Sequence, residues 1–94
     1  MEMVSLRVDG VVQDVLYRDT ARRTAQDLGL TGWVRNTMDG GVEALAEGET
    51  EKIDQFLEWC REGPPSATVS KVDIQARKRI DSRTFTIFKI LPTV

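Results

Sequence analysis

The sequence contains no histidine and a single cysteine, Cys60, among its 94 residues. Zinc sites built from cysteine and histidine, and nucleophiles activated by histidine, are therefore excluded, and no disulfide can form within the chain. Only three prolines are present, while 40% of the residues are hydrophobic and 30% are charged, which is typical of a folded globular protein and not of a disordered one. The chemistry open to this chain is correspondingly narrow.

Long hydrophobic runs and a strong charge imbalance are also lacking. No apolar stretch approaches the roughly 20 residues that a membrane-spanning helix needs, and Met1-Glu2-Met3 leads directly into an alternating pattern instead of a signal-peptide core. We therefore expect a cytoplasmic protein with no membrane partner. The formal net charge of −2 offers no general attraction for a polyanion, so any anionic ligand must be recognised locally.

Hydrophobic periodicity predicts a single domain over residues 1–94. Val4, Leu6 and Val8 alternate with polar residues, which is the period-two pattern of a strand with one buried face. Apolar residues spaced by three and four positions predict two amphipathic helices, each followed by glycine. The complete prediction is strand 4–9, helix 19–28, strand 32–37, strand 42–47, helix 50–62, strand 72–77 and strand 85–90.

This order of elements, βαββαβ followed by a short extra strand, predicts an α+β fold. Right-handed crossovers place both helices on one face of an antiparallel sheet, which gives a ferredoxin-like two-layer sandwich whose other sheet face stays open. A chain of 94 residues is large enough for one such core but not for a separate cofactor domain.

The segment from Gly10 to Arg18 joins the first strand to the first helix and is the first candidate site. Backbone N–H groups in such a loop and at a helix N-terminus create partial positive charge, and Arg18 adds a planar fork of donors that suits phosphate oxygens. Because the loop is not rich in glycine, its spacing alone favours a plain connection with a solvated arginine. The residues of the candidate phosphate-binding loop are Gln13, Asp14, Val15, Leu16, Tyr17 and Arg18.

The second candidate is Asn36, which closes a predicted strand beside the turn Asp39-Gly40-Gly41. Asparagine is a poor strand former, so its simplest role is to start that turn. Its amide both donates and accepts hydrogen bonds, and is alternatively suited to hold an attacking water near an anion without any titratable base. The local pattern favours the turn, and the two candidates gain weight only in combination.

In combination, these motifs resemble the acylphosphatase family over essentially the whole chain and in the same order of elements. So many matches in order are specific to that family. The matching segments are Gly10 through Val12-Gln13 and Val15 to Tyr17-Arg18, Leu28-Gly29-Leu30 with Gly32-Trp33-Val34-Arg35-Asn36, Asp39-Gly40 with Val42-Glu43, Ala46-Glu47-Gly48, and Phe56, Trp59, Gly63-Pro64, Ala67 and Val69.

The resemblance implies hydrolysis of the mixed anhydride of acyl phosphates to a carboxylate and inorganic phosphate, with no metal ion, cofactor or covalent intermediate. In the family, the arginine that ends the loop motif binds phosphate with the loop amides, and the asparagine that ends the tryptophan motif orients the attacking water. These residues match Arg18 and Asn36, while Thr37 matches a position credited with supporting that asparagine. The implied ligands are acyl phosphates and inorganic phosphate, and we expect a monomer.

Asp14 departs from the family pattern, which carries glycine between the glutamine and the valine of the loop motif. Glycine there allows a positive φ angle or a close approach of the backbone to the ligand, and aspartate tolerates left-handed geometry less freely. A carboxylate ~5 Å from the anion, at an effective dielectric of about 20, repels each unit of charge by about 3 kcal/mol. The penalty is smaller if Asp14 points into solvent or pairs with Arg18 or Arg22.

Two alternatives to an active hydrolase remain open. In the first, Asp14 marks a member of the fold with little or no activity, which binds an anion or a protein partner through the same loop. The second is a nucleic-acid-binding ferredoxin-like domain, which needs exposed aromatic and basic residues on the open sheet face. Phe85 and Phe88 are available, but only one is expected to face outward and no basic stripe accompanies them, so we expect no nucleic-acid partner.

We predict that Asp14→Gly increases kcat/KM for benzoyl phosphate, because the substitution removes a negative charge and relaxes the loop. The gain is expected to reach at most about a hundredfold. The measurement compares the two purified proteins on this substrate in the same buffer, and equal values would contradict the prediction.

Overall fold

The structure, a computed structural model, describes all 94 residues and contains one five-stranded sheet and two helices. The strands lie in the order β4-β1-β3-β2-β5, so the predicted βαββαβ arrangement with an extra strand is confirmed. Neither helix is long and apolar enough to cross a membrane. The elements are β1 (Glu2–Val11), α1 (Tyr17–Asp27), β2 (Thr31–Asn36), β3 (Val42–Gly48), α2 (Thr50–Glu62), β4 (Thr68–Arg79) and β5 (Phe88–Ile90).

One hydrophobic core lies between the sheet and the two helices. The alternating residues Val4, Leu6 and Val8 of β1 are fully buried, as the pattern predicts. The thiol of Cys60 is also buried, which raises its pKa to about 12 and keeps it protonated at neutral pH. The helices contribute to this core the side chains of Tyr17, Ala21, Ala25, Ile53, Phe56, Leu57 and Cys60.

The sheet is mixed, and the prediction of a wholly antiparallel sheet is wrong for its last strand. β4 ends beside Glu2, at the end of the sheet where β2 begins. Residues 80–87 cross this end from one edge strand to the opposite edge, so β5 starts next to the start of β2 and runs parallel to it, with Phe88 opposite Gly32. Because the crossing uses these residues, the final strand is shorter than the predicted range 85–90.

Other boundaries also differ from the sequence-based prediction, and β1 extends over Glu2–Val11 instead of 4–9. β4 extends beyond 72–77 in both directions because it pairs along the whole length of β1, while its position at the sheet edge leaves most of its side chains exposed and removes the hydrophobic alternation. The first helix begins at Tyr17, two residues earlier than predicted, since a left-handed residue at Leu16 ends the preceding loop.

Glu47 anchors the crossing segment to the sheet. Its side chain is only 2% exposed, and its carboxylate accepts hydrogen bonds from the backbone N–H groups of Thr84 at 2.9 Å and Phe85 at 3.0 Å. The hydroxyl of Thr31 donates to the same carboxylate at 3.3 Å, and Arg83 donates to the Glu47 carbonyl oxygen. A buried acid therefore connects β3, β2 and the segment that delivers β5.

We predict that Glu47→Gln lowers the free energy of unfolding by about 2 kcal/mol. A carboxamide is uncharged and has one oxygen in place of two, so the hydrogen bonds from Thr84, Phe85 and Thr31 lose the strengthening that the charge gives them, and the Thr84 N–H group faces an NH₂ group in place of its second oxygen. Urea unfolding of the wild-type protein and of the variant measures the difference. The matched control is Glu58→Gln on the exposed side of α2, for which a change within about 0.5 kcal/mol is expected; similar losses in both variants would refute the anchoring role.

Candidate active site

The chain leaves the centre of the sheet through Gly10, near the end of β1. A Cβ atom at this position would lie 2.1 Å from the carbonyl oxygen of Thr68, and φ is +133°, so only glycine fits against β4 here. The pairing of β1 with β4 shifts register between Asp9 and Gly10, which is an irregularity of the kind that re-aims the end of a strand. The loop of residues 12–16 follows directly.

Two residues of this loop adopt left-handed backbone conformations. Asp14 has φ 59° and Leu16 has φ 65°, and they are the only residues other than glycine with positive φ in the chain. Such a conformation strains most side chains, and aspartate tolerates it better than leucine does. Asp14 thus occupies the geometry that glycine would adopt freely. Left-handed residues in a loop curl the backbone so that neighbouring N–H groups converge on one side.

The N–H groups of the loop and of the first helical turn have no partner within the chain. Leu16 is the N-cap of α1 and its side chain forms no capping hydrogen bond. The first hydrogen bond of the helix runs from the Thr20 N–H group to the Leu16 carbonyl oxygen at 3.1 Å, which leaves the N–H groups of residues 17–19 without an acceptor. Those of residues 13–16 donate no hydrogen bond either. This run of donors carries the positive end of the helix dipole.

Arg18 is half-buried beside these donors, and its guanidinium group forms no ion pair and no hydrogen bond with the protein. It lines a concave cavity of about 450 Å³. An unpaired guanidinium next to unpaired amides is the arrangement that binds a phosphate group. The residues that line the cavity are Val12, Asp14, Leu16, Tyr17, Arg18, Asp19 and Ile90.

Asp14 is exposed to solvent and forms no ion pair. Pairing with Arg18 or Arg22, which the sequence left open, does not occur. Arg22 instead lies 3.8 Å from Asp19, one helical turn away. The cavity therefore contains, beside Arg18, a carboxylate that forms no ion pair. No group of three or more cysteine, aspartate or glutamate side chains is placed to hold a metal ion.

Two side chains hold the loop in place from opposite sides. The Gln13 amide nitrogen donates to the carbonyl oxygens of Thr37 at 2.7 Å and Gly41 at 2.8 Å, which fastens the loop to the β2–β3 turn. On the other side, the Ser66 hydroxyl donates to the Val15 carbonyl oxygen at 2.6 Å. Because that carbonyl shares a peptide plane with the Leu16 N–H group, Ser66 fixes the direction in which one of the unpaired donors points.

The side chain of Tyr17 lies in the hydrophobic core and not in the phosphate-binding loop that its motif predicts. Its side chain is 2% exposed, its hydroxyl donates to the Cys60 carbonyl oxygen at 2.8 Å, and its ring lies 5.1 Å from that of Trp59. Burial raises the pKa of the Tyr17 hydroxyl well above its usual value. The side chain therefore joins α1 to α2, and only its backbone N–H group belongs to the set of free donors.

Asn36 is the last residue of β2, and its side chain is 6% exposed. Its Oδ1 atom is buried and accepts no hydrogen bond from the protein, so it lacks the partner that buried polar atoms usually have. Asn36 itself does not line the cavity. Asn36 nevertheless lies close to the cavity. Ile90 forms part of the cavity wall and pairs with Val34, which is two residues before Asn36 in the same strand. The tail of residues 91–94 continues along β2, and the Val94 N–H group donates to the Asn36 carbonyl oxygen.

Thr37 stabilises the turn that follows β2. Its hydroxyl donates to Asp39 and accepts a hydrogen bond from the Gly41 N–H group at 3.0 Å, and it forms no hydrogen bond to the Asn36 side chain. Arg7 donates to Asp39 at 2.9 Å. The hydrogen bonds from Thr37 and Arg7 hold the pKa of Asp39 below its usual value. The turn that follows Asn36, whose carbonyl oxygens accept the hydrogen bonds of Gln13, is thus tied to β1.

Sequence reasoning did not find three of the residues that build this site. Ser66 is 51 positions from its partner Val15, and no local pattern links the two. Ile90 reaches the cavity through the parallel pairing of β5, which the sequence did not predict. Asp19 lies one residue after the loop motif and resembles an ordinary acidic residue of a first helical turn.

The fold and the site together define a class of protein: a small α+β sandwich that presents an arginine and unpaired amides at the loop between its first strand and first helix. A profile of the acylphosphatase family matches residues 4–90 of the sequence. The chain belongs to the acylphosphatase family.

Individual members of the family agree with this assignment. An acylphosphatase of Methylococcus capsulatus is 49% identical over 94 residues, which cover 100% of both chains. An acylphosphatase of Acaryochloris marina is 50% identical over 82 residues, 87% of this chain and 88% of that one. Among solved structures, the acylphosphatase of Bacillus subtilis superposes with a TM-score of 0.90 at 33% identity and covers 97% of this chain and 99% of its own.

We predict that Ser66→Ala weakens the binding of inorganic phosphate by about fivefold, the effect of losing one hydrogen bond worth about 1 kcal/mol. The Val15–Leu16 peptide then turns more freely, and its N–H group points at the anion for less of the time. Isothermal titration with phosphate measures the affinity, and circular dichroism on heating checks that the fold is retained. Ser82→Ala in the exposed crossing segment is the control; equal affinities for the two variants would rule out the bracing role.

Proposed function

We propose that this chain hydrolyses acyl phosphates to a carboxylate and inorganic phosphate by direct attack of water. The observation that carries the proposal is the unpaired Arg18 guanidinium beside a run of unpaired N–H groups, in a chain that belongs to the acylphosphatase family. Such a set of donors suits the oxygens of an anionic phosphoryl group better than it suits a neutral ligand.

Arg18 and the amides of residues 13–19 hold the phosphoryl group in this mechanism. Charge spreads over the three equatorial oxygens during phosphoryl transfer, and donors that are already oriented stabilise it with little reorganisation. The hydrogen bonds of Gln13 and Ser66 supply that orientation. The positive potential needed for an anion thus comes from local donors, although the chain has a net charge of −2.

Asn36 orients the attacking water. Its free Oδ1 atom accepts a hydrogen bond from the water, and its amide nitrogen is able to donate to an oxygen of the substrate. A residue in this role needs no titration, because the leaving carboxylate of an acyl phosphate is already a good leaving group. The substrate phosphate takes the proton of the water. Thr37 acts on Asn36 only indirectly, through the turn.

The proposal assigns neither a metal ion nor a cofactor to the reaction, and it describes a cytoplasmic monomer that acts on a small molecule. A nucleic-acid partner is not part of it. Phe88 is buried in the core and Phe85 is half-buried, so neither of the two phenylalanines considered for base stacking is fully exposed.

A second candidate is an anion-binding member of the family with little activity. The unbalanced carboxylate of Asp14 favours it, since this charge lines the same cavity as Arg18 and repels a phosphate dianion. The two candidates share the phosphate-binding loop and differ in turnover.

We predict that Arg18→Ala and Asn36→Ala each reduce kcat for benzoyl phosphate by about a thousandfold or more, since each removes an interaction formed in the transition state. Arg18→Ala is also expected to weaken phosphate binding strongly, whereas Asn36→Ala changes it little. Steady-state kinetics and phosphate titration of each variant give the two quantities.

Arg23→Ala is the matched control for Arg18, because Arg23 is an exposed arginine of the same helix that does not line the cavity. Near wild-type turnover is expected for it. Asn36→Asp keeps the shape of the side chain but removes its N–H donors, and we expect it to be nearly as inactive as the alanine variant. Turnover that survives Arg18→Ala or Asn36→Ala in a folded protein would refute these roles, and binding without turnover in the wild-type protein would favour the second candidate.

A further inference from the structure

The cavity beside Arg18 has an uneven distribution of charge. Asp14 and Asp19 both line it, and both are exposed. Arg22 lies 3.8 Å from the Asp19 carboxylate and balances part of its charge, but Asp14 forms no ion pair, and Arg18 is the only cation that lines the cavity with it. Once a phosphate group occupies the donors around Arg18, the arginine charge is neutralised, and the uncompensated charge that remains at the cavity is negative.

The rest of the cavity wall is apolar. Leu16 is 68% exposed although it is a large hydrophobic residue, and it lines the cavity. Val12 and Ile90 continue this wall. Because Leu16, Ile90 and Asp14 line the same cavity as Arg18, we expect the acyl group of a substrate whose phosphate is held there to pass close to them.

We propose that the site selects acyl phosphates whose acyl group is uncharged and apolar, and that Asp14 is the residue that rejects acyl groups carrying a second negative charge. This inference rests on the proposed function and adds the substrate class. The apolar wall removes hydrocarbon surface from water, which favours an aliphatic or aromatic acyl group. Asp14 repels an anionic acyl group in addition to the repulsion that it exerts on every phosphate.

The charge of Asp14 can be removed with little change in the shape of its side chain. Asparagine has nearly the same shape and tolerates the left-handed φ of 59° at least as well, so Asp14→Asn removes the charge while the loop conformation is retained. Asp27→Asn is the matched control, since Asp27 is an exposed aspartate at the far end of α1 and does not line the cavity.

The test compares benzoyl phosphate with para-carboxybenzoyl phosphate, which differ by one distant carboxylate. For the wild-type protein, kcat/KM for benzoyl phosphate is expected to exceed that for the carboxylated substrate by about tenfold, equivalent to about 1.4 kcal/mol. In Asp14→Asn the ratio is expected to fall to about two, while Asp27→Asn retains the wild-type ratio. The wild-type ratio also shrinks between ~20 mM and ~500 mM salt, as a charge effect requires.

The same comparison by binding separates this inference from the proposed function. Phenacylphosphonate and its para-carboxy derivative have no bond that the enzyme can hydrolyse, and their affinities are measured by calorimetry for the three proteins. Absence of benzoyl phosphate hydrolysis would overturn the proposed function, while a wild-type affinity ratio of about ten that disappears in Asp14→Asn would still support the selection by charge. Equal affinities for the two ligands in the wild-type protein, or a ratio unchanged in Asp14→Asn, would overturn the inference.

Discussion

The pairing of β1 with β3 on one side and β4 on the other is the constraint on which the site depends. It holds Gly10 against β4, where no side chain fits, and thereby sets the point at which the loop leaves the sheet. Through β3 it also sets the position of β2, and so of Asn36, relative to that loop. The Gln13 side chain then spans the remaining distance to the turn after β2. Backbone hydrogen bonds determine most of the geometry, and few side chains are needed to complete it.

Recognition of an anion by a protein of net charge −2 requires that the positive potential be local. Here it arises from unpaired N–H groups and one guanidinium, and the price is strain at two left-handed residues and an N-cap without a capping bond. Anions are attracted only at short range in such an arrangement, so each charge at the cavity has a large influence on which ligand enters. The proposed role of Asp14 rests on that reason, and we expect an equally exposed aspartate elsewhere on the surface to have little effect.

Sequence patterns predicted those parts of the fold that follow from local periodicity. The alternation of Val4, Leu6 and Val8 identified β1, and the spacing of Ile53, Phe56 and Cys60 identified α2 with correct bounds. The failures lie at the edges of the sheet. β4 has most of its side chains exposed and alternates clearly only over residues 72–77, so its ends were missed, and β5 is brief and defined by its parallel partner more than by its own residues. For the site, the sequence indicated Arg18 and Asn36, but not Ser66 or Ile90, whose roles depend on pairing across the chain.

The sequence by itself determined the element order, the buried faces and the family, because these follow from hydrophobic periodicity and from motifs read in order along the chain. The tertiary structure alone decided that the crossing segment makes the last strand parallel, that Arg18 has no partner while Arg22 does, and that Asp14 stands unbalanced at the cavity. The physical reason is the range of the interactions. Periodicity is encoded in neighbours a few residues apart, whereas the charge around a ligand is the sum of groups that only folding brings together.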